Sequence, residues 1–138
     1  MNISQVRQLL LKHEGLRFTP YRCSAGKLTI GIGRNLEDKG ITEQEALYLF
    51  ENDIQECARD LANNVFHGLF FEFPDGIQTV LINMRFQLGA KGFRSFKKMI
   101  KAVLDRDYPE MINQMEDSKW YRQVPERAEG LIEIVRSV

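Results

Sequence analysis

Ile3, Val6, Leu9 and Leu10, followed by His13, recur at helical spacing and predict a first helix that ends at Gly15. The pattern then changes. YRC and KLTIGIG read as short strands joined by SAG, a three-residue link with glycine last that suits a hairpin with a bulge. Gly31 and Gly33 weaken the second strand and leave room for another backbone to approach. Thr42-Glu43-Gln44-Glu45 is a capping box, in which hydroxyl and carboxylate each satisfy an orphan backbone donor. The long helix it opens carries Ala46, Leu47, Leu49, Phe50, Ile54, Cys57, Ala58 and Leu61 as an apolar stripe, until Asn63-Asn64 loosens it.

After the aromatic run FHGLFFEF, Pro74-Asp75-Gly76 opens another helix. Ile77, Val80, Leu81, Met84, Phe86 and Leu88 make it apolar over much of its circumference, as expected of a central buried helix, and Gly89 closes it. Shorter helical patterns cover Phe93 to Leu104, Tyr108 to Glu116 and Pro125 to Val138, with Pro109 and Pro125 near helix starts, where a missing N–H is harmless. These elements predict one α+β domain over residues 1–138. It comprises a small hairpin-bearing lobe (about 14–60), a long connecting helix, and a mostly helical lobe (1–13 plus 61–138), with a ligand cleft expected between the lobes.

Composition narrows the classes. Hydrophobic residues at 43% and charged residues at 28% argue against disorder. The formal net charge is +0, so no whole-molecule field draws the chain to nucleic acid, and no such partner is expected. No apolar run reaches the roughly 18 residues a membrane helix needs. MNISQVRQLLLKHEG lacks a secretory pattern, which predicts a product folded in the cytoplasm. Cys23 and Cys57 make no disulfide framework, and Cys57 reads as a small buried hydrophobe. No CxxC or HxxxH pair appears, so neither metal nor cofactor is expected.

Glu14, at the junction of helix and hairpin, can act as a proton donor if partial burial raises its pKa; a solvated glutamate at a helix end fits the same position. Thr29 alternates with Leu28 and Ile30 and either orients a water or is an ordinary β-former. Arg34 holds an anion or merely ends a strand, while Glu37 and Asp38 read as polar loop residues. Asn83 and Gln87 share one face of a largely apolar helix and need partners, whether sugar hydroxyls and N-acetyl groups or the backbone. Trp120, Tyr121 and Arg127 cluster around a helix start.

The order E-G-L-R, Y, T-I-G-I-G, N-M-x-F-Q-x-G and W-Y-x-Q-x-P-x-R resembles the lysozymes of T4-type bacteriophages, the family 24 muramidase-type endolysins, from Ile3 to Arg136. The chain looks trimmed between Gly33 and Ile41. The resemblance implies a lysozyme-like fold and cleavage of the β-1,4 bond between N-acetylmuramic acid and N-acetylglucosamine in bacterial peptidoglycan. It implies Glu14 as general acid and Thr29 as a holder of the attacking water. Gln87, Asn83, Leu28 and Gly31 become substrate contacts. Arg127 becomes the arginine that pairs with the acid, and Tyr21 a support behind the reacting groups; Arg34, which matches no family residue, is expected as a further support on its own chemistry.

Two positions depart from the family pattern: Cys23 stands where the family usually has a catalytic aspartate, and Arg34 where a histidine usually follows T-I-G-I-G. A thiolate, favoured by Arg22 or Arg34, is expected to serve as base or water-orienting group first and as nucleophile second. Two rivals remain: a lytic transglycosylase, which needs only one acid/base glutamate, and a noncatalytic peptidoglycan-binding relative. The resemblance further implies a monomeric endolysin that waits in the host cytoplasm until a holin opens the membrane and then acts on the wall in the periplasm.

Overall fold

The computed structural model describes residues 1–138, whose contacts divide them into two compact units, Met1–Leu49 and Phe50–Val138. In the first unit, α1 (Ile3–Glu14) is opened by the Asn2 side chain, which accepts from the Gln5 N–H at 3.1 Å, and closed by the Gly15 N–H donating to the Leu11 carbonyl at 2.9 Å. The predicted periodicity is there, but no residue of α1 is buried. β1 (Arg17–Arg22), β2 (Leu28–Gly31) and β3 (Arg34–Asn35) form an antiparallel sheet in that order.

The expected hairpin is present, with Tyr21 opposite Thr29 and Arg22 opposite Leu28. Its first strand starts earlier than YRC and includes Pro20. Pro20 falls where the ladder is irregular, between Arg17 and Tyr21, on an edge strand that can lack an N–H. Cys23 lies outside the strand, in the closing turn: the Gly26 N–H donates to the Cys23 carbonyl at 2.8 Å, and the Cys23 N–H to the Lys27 carbonyl at 3.0 Å. Gly26 has φ +77°, the left-handed conformation this turn and bulge require.

α2 (Glu43–Asp60) begins in the first unit and continues in the second. Its capping box forms as predicted: the Thr42 N–H donates to Glu45 at 2.9 Å, and the Glu45 N–H to the Thr42 hydroxyl at 3.1 Å. Along its stripe, Leu47, Leu49 and Phe50 stay exposed, and burial begins only toward Cys57 and Leu61. Where Asn63-Asn64 predicted loosening, the chain widens into a π turn, Leu61–Val65.

The core of the second unit gathers Leu61, Phe66, Phe70 and Phe73 with one face of α3 (Asp75–Arg94), where Ile77, Val80, Leu81 and Met84 are buried. Phe86 departs from the expectation of a helix buried all round: it is 44% exposed and meets Phe50 edge-on, ring centroids 6.0 Å apart. Gly89, at φ 76° and ψ 171°, kinks α3 instead of ending it. The predicted Phe93–Leu104 helix is therefore split: Phe93 belongs to α3, and α4 (Lys97–Leu104) starts after Phe96, whose ψ of 54° is not helical. α5 (Tyr108–Glu116) has the predicted bounds, α6 (Lys119–Gln123) is an added short helix, and α7 (Pro125–Arg136) begins on its proline.

Asp60 closes α2 and ties three segments of the second unit together. It accepts from Asn64 Nδ2 at 2.9 Å, Arg85 Nε at 2.7 Å and Arg94 Nη2 at 2.5 Å. Burial pushes its carboxyl pKa up, but these bonds outweigh burial and hold it below the ordinary range.

Candidate active site

Glu14 is the last residue of α1, and its side chain is exposed, as in the solvated helix-end alternative and not the partly buried one. It lies against the second glycine of T-I-G-I-G. A Cβ on Gly33 would come within 2.9 Å of Glu14 Oε2 and 3.0 Å of its Cδ and Cγ. Gly33 thus makes room for a carboxylate, not for another backbone, while nothing approaches the Cβ position of Gly31 within 4 Å.

Cys23 is half-buried and unpaired with Cys57. Its thiol pKa is lowered first by the backbone N–H of Lys27, then by that of Ala25, and by the Thr29 hydroxyl. The Thr29 hydroxyl, however, donates to the Lys27 carbonyl at 2.8 Å, and one hydroxyl has one proton. While that bond lasts, Thr29 offers the sulfur only lone pairs, so the two amides carry the stabilisation of a thiolate. Thr29 itself is 3% exposed.

Neither arginine expected to favour the thiolate does so. Arg22 is committed to Glu37 and, at 3.2 Å, to the Gly26 carbonyl. Arg34 is committed to Glu45 (Nη2 to Oε2, 2.7 Å) and to the Gly40 carbonyl (3.2 Å). A carboxylate this close offsets much of each guanidinium's field at the sulfur. Tyr21, opposite Thr29, carries the Arg17 guanidinium 4.6 Å above its ring. Both main-chain groups of Leu28 are occupied on the β3 side: its N–H donates to Glu37 at 3.0 Å and its carbonyl accepts from Leu36 at 2.8 Å. Gly31 pairs with Arg17.

The remaining expected site residues belong to the second unit. Asn83 Oδ1 accepts from Arg127 Nε at 2.9 Å, and Gln87 Oε1 accepts from Trp120 Nε1 at 2.9 Å. Both amides thus use side-chain partners instead of the backbone and keep their NH2 groups for another acceptor. Cys57 is buried, which pushes its thiol pKa up.

Each unit also has an open groove. One of about 710 Å³ is lined by Leu16, Ile32, Ile41, Tyr48 and the Arg34–Glu45 pair; another of about 500 Å³ has Phe96 and Trp120 with Lys97, Lys98 and Lys119. Glu14, Cys23 and Thr29 line neither. No group of three or more His, Cys, Asp or Glu side chains is placed to hold a metal ion.

Seven helices with one small antiparallel sheet, and an acid where the first helix meets that sheet, make a lysozyme-like α+β protein. The sequence model of the phage lysozyme family matches residues 11–136, and the chain belongs to that family. It is 25% identical to probable T4-type lysozyme 1 of Dictyostelium discoideum over 98% of this chain and 95% of that protein. With probable T4-type lysozyme 2 of the same organism it shares 24% identity over 96% of this chain and 94% of that protein. It is 29% identical to the pre-baseplate central spike protein Gp5 of Enterobacteria phage T4, over 93% of this chain but 27% of the spike protein. Membership supports a lysozyme-type glycoside hydrolase acting on the cell wall.

Proposed function

We propose that the protein is a phage endolysin that hydrolyses the β-1,4 bond between N-acetylmuramic acid and N-acetylglucosamine for host lysis. Glu14 protonates the bridging oxygen as the bond to the anomeric carbon breaks. Water attacks that carbon and loses a proton to the Cys23 thiolate, while a lone pair of Thr29 Oγ1 steadies it. A proton then returns to Glu14 and leaves Cys23, restoring the starting state. The monomer waits in the cytoplasm for a holin and then meets peptidoglycan in the periplasm; no helix is long and apolar enough to cross a membrane.

The observation that carries this reading is the seat of the Glu14 carboxylate on Gly33, two residues beyond the strand that bears Thr29. Digestion of peptidoglycan in heavy-oxygen water, read by mass spectrometry with anomeric assignment, tests it. One heavy oxygen at each new reducing end is expected, and folded Glu14→Gln protein should give no products. Lysis by Glu14→Gln at the parent's speed sinks the assignment. Anhydro ends would instead identify a lytic transglycosylase, a second reading favoured by the burial of Thr29 and the engagement of its hydroxyl with Lys27.

A further inference from the structure

Two acids follow β3, Glu37 and Asp38, and the sequence offers them only as polar loop residues. In the fold they grip the turn that carries Cys23. β3 stops at Asn35, so the N–H of Leu28, which faces the β3 side like its own carbonyl, has no strand partner. The Glu37 carboxylate supplies one, accepting from that N–H at 3.0 Å. The same Oε1 accepts from Arg22 Nη1, which also reaches over the turn to the Gly26 carbonyl. One oxygen thus joins the last residue of β1 to the first of β2, across the base of the Cys23–Gly26 turn.

The loop that delivers Glu37 is itself fixed. Asn35 Oδ1 accepts from the Asp38 N–H at 3.0 Å, Asn35 Nδ2 donates to Asp38 Oδ2 at 3.1 Å, and Asp38 meets Lys27 at 3.4 Å. Arg22 and Lys27, the cations on either side of Cys23, are both matched by these acids. As an exposed ion pair, Glu37–Arg22 adds little stability. Its importance lies in geometry: the backbone N–H groups of Lys27 and Ala25, which lower the Cys23 thiol pKa, belong to the turn that this bridge closes.

We propose that Glu37 is a positioning residue for the reaction, bridging Arg22 and the Leu28 N–H so that the turn presents Cys23 beside Thr29. The inference rests on the muramidase reading above, and its test separates the two. Alkylation of Cys23 by iodoacetamide, followed against pH and assigned by peptide mapping apart from buried Cys57, reads the turn without any substrate. Folded Glu37→Ala is expected to alkylate at Cys23 at least about threefold more slowly at pH 7, because the turn that holds the amide donors loosens and the thiol ionises less. Its kcat on peptidoglycan is expected to fall about tenfold with KM within about twofold.

Glu37→Gln keeps an oxygen that can accept both bonds and should restore the alkylation profile toward the parent's. If Glu37→Ala does not fold, Arg22→Ala breaks the same bridge from the other side and carries the same expectations. A parent-like thiol profile in the folded variant overturns the proposal. So does a shifted profile with unchanged kcat, because the turn would then be held for nothing in the reaction. Absence of cleavage by the parent itself would defeat the muramidase reading, leaving the thiol profile to decide whether Glu37 shapes the turn.

Discussion

Glu14 lies against Gly33 with no room for a side chain between them, a Cβ there falling 2.9 Å from Oε2. The obstructing atoms are the movable end of Glu14, so Gly33→Ala should fold. Alanine at φ +67° is expected to lower stability by about 1–2 kcal/mol. The displaced carboxylate should cost more: wall lysis is expected to fall at least about tenfold, since small misplacements of a reacting group are expensive. Thermal unfolding and kcat measured together check this, and parent-level lysis would show that the seat does not matter.

In the proposed mechanism Cys23 supplies a thiol where a carboxylate would ionise far lower. Asp ionises near about 4 and an ordinary cysteine near about 8.5, so the group at this position should help set where the pH profile begins to rise. Cys23→Asp is expected to stay active with its acid limb moved to lower pH. Cys23→Ala and Cys23→Ser, which cannot ionise there, should lose about 100-fold. Profiles of kcat/KM against pH decide; full activity in all three variants would remove the sulfur from the reaction.

Glu45 has its pKa lowered to about 2, first by the hydrogen bond from Arg34 and then by the Thr42 N–H and hydroxyl. Its folded pKa lies below the unfolded value, near about 4.3. The stabilisation is therefore complete above the unfolded pKa and lost as pH falls toward about 2. Glu45→Gln should lower Tm at neutral pH and flatten its decline over that acid window. Both side chains of the Arg34–Glu45 pair are partly exposed, so added salt should shrink the difference between variant and parent. A parent-shaped Tm curve in the variant would contradict the linkage.

Asp60→Ala leaves Arg85, whose side chain is 11% exposed, without its carboxylate. Removing one partner of a pair this buried is expected to cost about 3 kcal/mol. Urea unfolding should show a lower midpoint with an unchanged slope. A loss below about 1 kcal/mol would mean that water replaces the pair readily.

Elements were legible wherever a local rule decides them. The Thr42–Glu45 box, the Tyr108 and Pro125 helix starts, and the hairpin turn ending on Gly26 depend on residues within a few positions of one another. Periodicity located α1 and α2, but it reports that a helix has two faces and not what covers the apolar one; hence Leu47, Leu49 and Phe50 lie exposed. The helix expected from Phe93 failed because the kink at Gly89 lets α3 resume and take Phe93 with it.

In the candidate site, the order of motifs pointed to Glu14, Cys23 and Thr29, but their surroundings were hidden. The groups that most lower the Cys23 thiol pKa are main-chain amides, which no residue letter records. Glu37 acts where β3 happens to stop, and Gln87 meets Trp120 across 33 positions of chain. A buried indole needing an acceptor was the one available hint for the last pair.

Pro20 and the two-residue β3 bear on behaviour at high concentration. A proline within an irregular stretch on one flank, and a strand too short to template another on the opposite flank, are devices that keep sheets from growing. Neither flank offers a second molecule a continuous row of main-chain partners, so crowded copies have no seam along which to stitch themselves into fibrils.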